Sequence, residues 1–371
     1  MKHMNVMTRR TIAAGVAGMM VLCAATARAD EESAKLTQYR EKVDSSVMRA
    51  LDFLARNRMK NRKTDSSFDG AYGKTNAVAG LVGMAFLSKG YSPRSGPHSD
   101  AIRGCVDYVL STPAEKGYLG VRGGRMYGHG IATLFLSEVS GMVSPSRQKK
   151  IDKMMPKALR VILDAQKTAK KEGPHRHGWR YEPTTPTSDI SVTGWQIMAL
   201  RSARLNGAPV PGAAIKNAMS FIDRCRNPQD DGGFFYSPGR FTRAHPFRGG
   251  KWLGGPSTAA RTGAALLCRE LGGHHGDRVN KKTGDFILKN VKQHGFLKDT
   301  WHEYATYYCS QGMFQLGGKY WEEFAPPMYE YLFRKQKPNG SWKTGYGDVY
   351  PTAMYVLALT VSYRQLPIYQ R

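Results

Sequence analysis

The sequence predicts an all-α protein, an α/α toroid of about six helical hairpins and twelve helices. Three observations carry that prediction. Amphipathic helix-length segments alternate with segments rich in small and apolar residues, Gly- and aromatic-rich loops join them, and neither terminal unit has a polar outer face. A single hairpin of this kind cannot bury its apolar face, so the units must stack. An open stack needs polar capping repeats, and closure into a ring removes that need.

Taken in order, the first unit runs through Ala50–Leu54, a loop Phe68-Asp69-Gly70-Ala71-Tyr72-Gly73, and Ala77–Leu87. The second has Ala101–Leu110, a loop carrying Tyr118 and Tyr127, and His129–Val139. Ala158–Gln166, Gly178-Trp179-Arg180-Tyr181 and Ser191–Arg204 make the third, with Leu159, Ile162 and Leu163 at helical spacing. The fourth has Ala214–Cys225, the loop Gln229 to Tyr236, and Ser257–Leu271. A degenerate fifth covers Asp285–Val291 and His302–Leu316, and the sixth has Met328–Gln336, Pro338-Asn339-Gly340-Ser341-Trp342 and Thr352–Tyr363. The second helix of each unit, richer in Gly, Ala, Ser and Thr, is expected inside the ring, with the Lys- and Arg-rich first helix facing water. The N-terminal ends of the inner helices then surround one mouth, where free backbone N–H groups favour anions.

Of 371 residues, 41% are hydrophobic and 23% charged, which supports a large core and speaks against wholesale disorder. With no Ser/Pro-rich linker or charge block, residues 30–371 are expected to form one domain. Residues 1–29 have the pattern of an export signal: basic Lys2, Arg9 and Arg10, an apolar run from Ile12 to Ala25, and Ala27-Arg28-Ala29 as a small-x-small cleavage site. Thr8-Arg9-Arg10-Thr11-Ile12 fits twin-arginine export as well as ordinary secretion. The product is expected in the periplasm or secreted, with no membrane-spanning segment and as a monomer.

Loss of the signal removes Lys2, Arg9, Arg10 and Arg28 and no acid, lowering the formal charge from +26 to +22. Such a field attracts acidic glycans, phospholipid headgroups or pyrophosphates. No nucleic-acid-binding module accompanies it, so nucleic acid is not an expected partner. The four cysteines of the mature chain, Cys105, Cys225, Cys268 and Cys309, are widely spaced on helical segments and are expected as buried free thiols.

Gln336-x-x-Asn339-Gly340-Ser341-Trp342 and Gln229-x-Asp231-Gly232-Gly233-Phe234 resemble the Gln-Trp repeat of squalene and hopene cyclases and the loops of protein prenyltransferase β-subunits. The role expected of these loops is structural: glycine for the turn, the aromatic over the helix ends, Gln bonding the next unit's backbone. Gly178–Tyr181, Asp189–Thr193, Tyr307-Tyr308, Gly317–Trp321 and Leu366–Arg371 resemble a group of exported bacterial, planctomycete-type prenyltransferase/squalene-oxidase repeat proteins. That resemblance implies the toroid and names no activity. The cyclase acid motif reads Pro186-Thr187-Ser188-Asp189 here, with Ser188 at the proton-donating position, so cyclase chemistry by that route is not expected. The prenyltransferase zinc ligands are also missing: Ala305 stands at the His position and Ser257–Arg261 lacks Asp-x-Cys. Cys309-Ser310-Gln311 has the wrong spacing for a thioester. No metal or other cofactor is expected.

The candidate catalytic residues are Asp189, His302, Glu303 and Tyr308. Asp189 can cap an inner helix or act as an acid, and His302 and Glu303 stand at another helix start where protons can be exchanged. The candidate ligand-binding residues are Tyr127, His129, Trp179, Tyr181, Trp195, Arg261 and Tyr304, an aromatic set with one anion-holding cation. Three functions follow. The first is a cavity for an apolar, isoprenoid-type ligand with an anionic head. The second is a glycan-active toroid of polysaccharide-lyase type on acidic polysaccharide, which requires His302, Tyr308 and Arg261 to converge. The third is a protein-interaction scaffold.

Overall fold

The structure, a computed structural model, describes residues 36–57, 74–114, 116–120, 124–242, 251–253 and 256–369. The expected export signal and the Phe68–Gly73 loop lie outside them. Twelve α-helices occur among the described residues: α1 Arg40–Arg56, α2 Asn76–Ser88, α3 Ser99–Leu110, α4 Arg125–Glu138, α5 Pro145–Lys167 and α6 Ile190–Leu205, followed by α7 Gly212–Arg224, α8 Ala259–Leu271, α9 Arg278–His294, α10 His302–Leu316, α11 Lys319–Lys335 and α12 Val349–Leu359. One addition to the all-α expectation is a three-residue antiparallel pair, β1 Arg240–Thr242 with β2 Lys251–Leu253, inside the fourth unit.

The even-numbered helices form the inner ring. Each packs on the next, α2 on α4, α4 on α6, α6 on α8, α8 on α10, α10 on α12, and α12 returns to α2, so the ring is closed. The sequence explains why these helices go inside. Nearly every residue of α2, α6 and α12 is buried, and small residues set the spacing. A Cβ on Gly263 of α8 would lie 2.7 Å from Cys309 Sγ and 2.8 Å from Cys309 N of α10, so only glycine permits that approach. The odd-numbered helices are amphipathic and form the outer layer.

The seam is held by polar pairs that join the two ends of the chain. Gln336, just past α11, donates to the Ser46 and Gly340 carbonyls at 2.9 Å each and accepts from Ser46 Oγ at 2.9 Å. Thr360 Oγ1 bonds Ser88 Oγ at 2.7 Å, and the Tyr363 hydroxyl donates to Asp44. The Gln of the repeat therefore does stitch one unit to the next.

The loop aromatics repeat one arrangement. Trp179 Nε1 donates to the Ile162 carbonyl of α5 at 2.8 Å, and its backbone N–H to Thr193 Oγ1 of α6 at 3.0 Å. Trp342 does the same with Leu332 of α11 at 2.9 Å and Thr352 of α12 at 3.0 Å. Phe234 N donates to Thr262 Oγ1 at 3.3 Å in the fourth unit. The two tryptophans thus add a donor to a carbonyl near the end of an outer helix, and all three aromatics tie their backbone N–H to a threonine of the next inner helix.

The outer helices α1, α5, α9 and α11 all extend beyond the segments that the periodicity picks out, and in α5 and α11 proline is the reason. α5 passes through Pro156, and α11 through Pro326 and Pro327. These prolines lie on solvated or partly solvated faces, so the carbonyls they leave unpaired can bond water instead of ending the helix. The four mature cysteines are buried free thiols, as expected. No helix among the described residues is long and apolar enough to cross a membrane.

Candidate functional site

The inner helices all begin at one face, and a cavity of about 570 Å³ opens there. Every inner helix contributes from its first turns: Val78 from α2, Tyr127 from α4, Trp195 from α6, Arg261 from α8, Tyr304 from α10 and Tyr350 from α12. The opposite mouth is closed by the C-terminal segment. Ile368 N donates to Glu138 Oε2 at 3.3 Å, the Tyr369 and Tyr307 hydroxyls are 2.8 Å apart, and Gln315 Nε2 reaches the Tyr369 carbonyl at 3.2 Å. The ring is therefore a blind cup.

Its lining is aromatic, with an unusual choice of aromatics. Among the described residues six tyrosines (Tyr127, Tyr181, Tyr236, Tyr304, Tyr346 and Tyr350) and two tryptophans (Trp195 and Trp301) face the cavity, and no phenylalanine does. Trp195 sits on the floor, stacked on Tyr307 with ring centres 5.4 Å apart and edge-on to Tyr308 at 5.6 Å. At the rim Trp301 is 50% exposed and stacks on Tyr346 at 5.1 Å with only 18° between the planes. The Tyr181 and Tyr236 hydroxyls bond each other at 2.7 Å. The guanidinium of Arg261 lies over the Tyr236 ring, 5.6 Å from its centre, and Arg180 covers the same ring at 5.6 Å.

Among the described residues one acid lines the cup, and its oxygens are engaged. Asp299 accepts from Ala260 N of α8 at 2.8 Å and from Trp301 N at 3.0 Å, so it ties the start of α8 to the rim tryptophan. Sequence reasoning missed Asp299, Tyr346 and Tyr350. They come from two loops and a helix start that only the closed ring brings together with the loop aromatics Tyr236 and Trp301.

The predicted residues divide. Tyr127, Tyr181, Trp195, Arg261 and Tyr304 line the cup. Trp179 does not; it is buried in the wall with its indole N–H on α5. His129 is also a correction: fully buried, it accepts from Leu119 N at 3.1 Å through Nδ1 and donates to the Ala158 carbonyl at 3.1 Å through Nε2. That desolvated seat pushes its pKa down to about 4, so it is a neutral packing histidine.

Asp189 caps α6, accepting from Val192 N at 2.9 Å with Arg180 Nε 3.7 Å away. Its other carboxylate oxygen has no hydrogen-bond partner among the described residues, and burial raises its pKa to about 6 against the pull of Val192 N–H and Arg180. It stands behind the lining, not in it. His302 turns away from the cup, stacked on Tyr331 at 4.6 Å with Nδ1 3.0 Å from the Tyr355 hydroxyl, and burial lowers its pKa to about 4. Glu303 is buried with its pKa raised by desolvation, and Tyr308 is fully buried beneath the floor. His302, Tyr308 and Arg261 therefore do not converge, and no paired carboxylates line the cup among the described residues.

No protein-family model matches the chain, and no curated protein matches it. Solved structures do. An inactive variant of an α-1,6-mannanase of Salegentibacter sp. HEL1_6, in complex with α-1,6-mannotriose, superposes with a TM-score of 0.59 at 10% identity, over 87% of this chain and 99% of that one. A family 76 glycoside hydrolase from a bovine Bacteroides thetaiotaomicron strain gives 0.58 at 10% identity, over 87% and 78%. The type II terpene cyclase MstE from Scytonema, with merosterolic acid A, gives 0.53 at 14% identity, over 90% and 99%. The likeness is one of fold. It makes this chain an α/α toroid, and leaves the cup's own chemistry to say what the ring holds.

Proposed function

We propose that this protein binds an oligosaccharide segment in the aromatic cup, with acidic glycan as the favoured class. The observation that carries the reading is the described lining of six tyrosines and two tryptophans, with no phenylalanine among the described residues, continued outward by the half-exposed Trp301–Tyr346 stack. Flat rings suit the C–H faces of a sugar, while phenol and indole groups suit its hydroxyls. Some of these groups are already bonded within the wall, Tyr181 to Tyr236 and Tyr304 to the Ser191 carbonyl; a hydrocarbon guest would leave their remaining hydrogen-bonding capacity unused, at about 1–3 kcal/mol for each polar group stranded. That cost favours the glycan reading over the isoprenoid one, the first expectation from the sequence.

The neighbours support the same choice without making it. One toroid of this shape holds mannotriose and another holds merosterolic acid A, so the ring accepts either class and the lining must discriminate. Arg261 at the mouth, together with the +26 formal charge, favours a sugar carrying carboxylate or sulfate. An open cup of about 570 Å³ also weighs against a filled ring acting only as a scaffold. We propose binding and no bond cleavage, because the lyase trio is dispersed and paired carboxylates are absent from the described lining. The closer likeness to exported repeat proteins and the periplasmic or secreted location accord with a glycan partner and rest on sequence segments alone.

The test is calorimetric titration of the mature protein with oligogalacturonides, neutral manno-oligosaccharides and a prenyl alcohol. Oligogalacturonide binding is expected, with Trp301→Ala weakening it at least tenfold, about 1.4 kcal/mol. Arg261→Gln should weaken the acidic ligand more than the neutral one. Saturable binding of the prenyl alcohol with none of either saccharide would overturn the reading.

A further inference from the structure

The outer wall carries a second feature that the cup does not use. On α5 the positions Lys150, Lys153, Lys157, Arg160, Asp164 and Lys167 follow a three-four spacing that puts them on one face of the helix. All six are exposed, and five are cationic. At 1.5 Å per residue the stripe runs about 25 Å.

At the C-terminal end of α5 the stripe runs into a groove of about 490 Å³. Lys167, Lys170, Arg176 and His177 line it, and among the described residues no Asp or Glu does, although Asp164 of the stripe pairs with Lys167 at 3.7 Å. The groove is built at some cost. Lys170 is half-buried, its ammonium 3.1 Å from the Thr185 carbonyl. His177 has a left-handed backbone, φ 72°, rare for a residue with a side chain, held by Gln166 Nε2 on its carbonyl at 3.1 Å. Its Nδ1 is buried with no hydrogen-bond partner among the described residues. α7 begins at the same groove, and no side chain caps its first turn. Solubility alone asks for dispersed surface charge, not for cations gathered around a concavity.

We propose that this outer wall is a polyanion-docking site: an acidic polysaccharide chain lies along the α5 stripe and seats one carboxylate or sulfate in the groove between α5 and α7. The inference rests on charge and shape at the wall and stands whether or not the cup binds sugar. A linear chain fits a narrow stripe that ends in a concavity. A membrane surface would call for an apolar anchor, and the exposed large hydrophobic residues, Met48, Leu205 and Trp301, lie on other elements.

The experiment measures binding of the full mature chain to long polygalacturonate at about 50 and about 200 mM salt, because released counterions make polyanion binding salt-dependent. A Lys150→Gln, Lys153→Gln, Lys157→Gln, Arg160→Gln variant, checked for native helix content, should bind at least tenfold more weakly with a shallower salt dependence. Lys170→Gln with His177→Gly should weaken binding several-fold, and Lys281→Gln with Lys289→Gln, exposed cations of α9 away from both sites, should leave it within twofold. Wild-type affinity in the fourfold variant would overturn the proposal. So would a loss in Trp301→Ala as large as in the fourfold variant, which would put the polymer in the cup. Tighter binding to phosphatidylglycerol vesicles than to polygalacturonate would replace the glycan with a lipid surface.

Discussion

His129 and His302 look alike in sequence, each near the start of an inner helix beside tyrosine, and the structure gives both the same fate. Each is desolvated between an inner and an outer helix, with a pKa near 4 against an ordinary 6.5. A histidine held neutral by the fold contributes stability above pH 6.5 that is lost as the pH falls toward 4. His129→Gln should therefore flatten the acid limb of the melting-temperature profile between about pH 6.5 and pH 4.5, and an unchanged limb would show that other groups control it. Asp189 runs the opposite way. Its folded pKa of about 6 exceeds the usual 3.8, so the stability linked to its protonation is complete below about pH 4 and is lost as the pH rises through 6. Because Oδ1 also caps α6, Asp189→Asn should melt close to wild type near pH 7. Asp189→Ala should lose about 1 kcal/mol in denaturant titration.

At the scale of the element, the repeat is a device for ending one helix and starting the next. The glycines, the aromatic and the later threonine are all visible in the sequence, but their bonds are not, because they join residues on different helices. Thr193→Val keeps the shape of the side chain and removes the acceptor for Trp179 N–H. It should cost about 1–3 kcal/mol in chemical denaturation, the penalty for an orphaned buried donor. Thr352→Val removes the same bond to Trp342 and should cost about as much. If both variants unfold at the wild-type midpoint, the shared arrangement is decorative. The internal prolines of α5 and α11 teach the converse: local propensity marks them as breaks, yet packing of the apolar face carries the helix through.

For the whole molecule, closure is the decisive event. It removes exposed end faces, gathers six helix starts at one mouth, and brings the C-terminal segment across the other. Glu138 is the latch of that plug. It accepts from Ser202 Oγ and from Ile368 N, and burial raises its pKa to about 7. A carboxyl raised above its ordinary 4.5 supports the fold most below that value, and the support fades as the pH climbs through 7. Glu138→Gln should remove an alkaline loss on the order of 3 kcal/mol, so that its melting temperature changes less than wild type between about pH 5 and pH 8. Equal slopes in the two proteins would assign the pH dependence elsewhere.

The order of helices, the inner and outer roles, the Gln-Trp loops and the buried thiols were legible in the sequence, because each depends on residue type and spacing along one element. Five residues of the cup were legible too, since they stand at the first turns of inner helices or in the loops that feed them. What the sequence left open was which side chains share a space. Trp179 and His129 looked like lining and are packed in the wall, while Trp301 and its near neighbour Asp299 meet Tyr346 from a distant loop at the rim. Periodicity tells which face of a helix is covered; only the closed ring decides whether that face meets a neighbouring helix or the cavity.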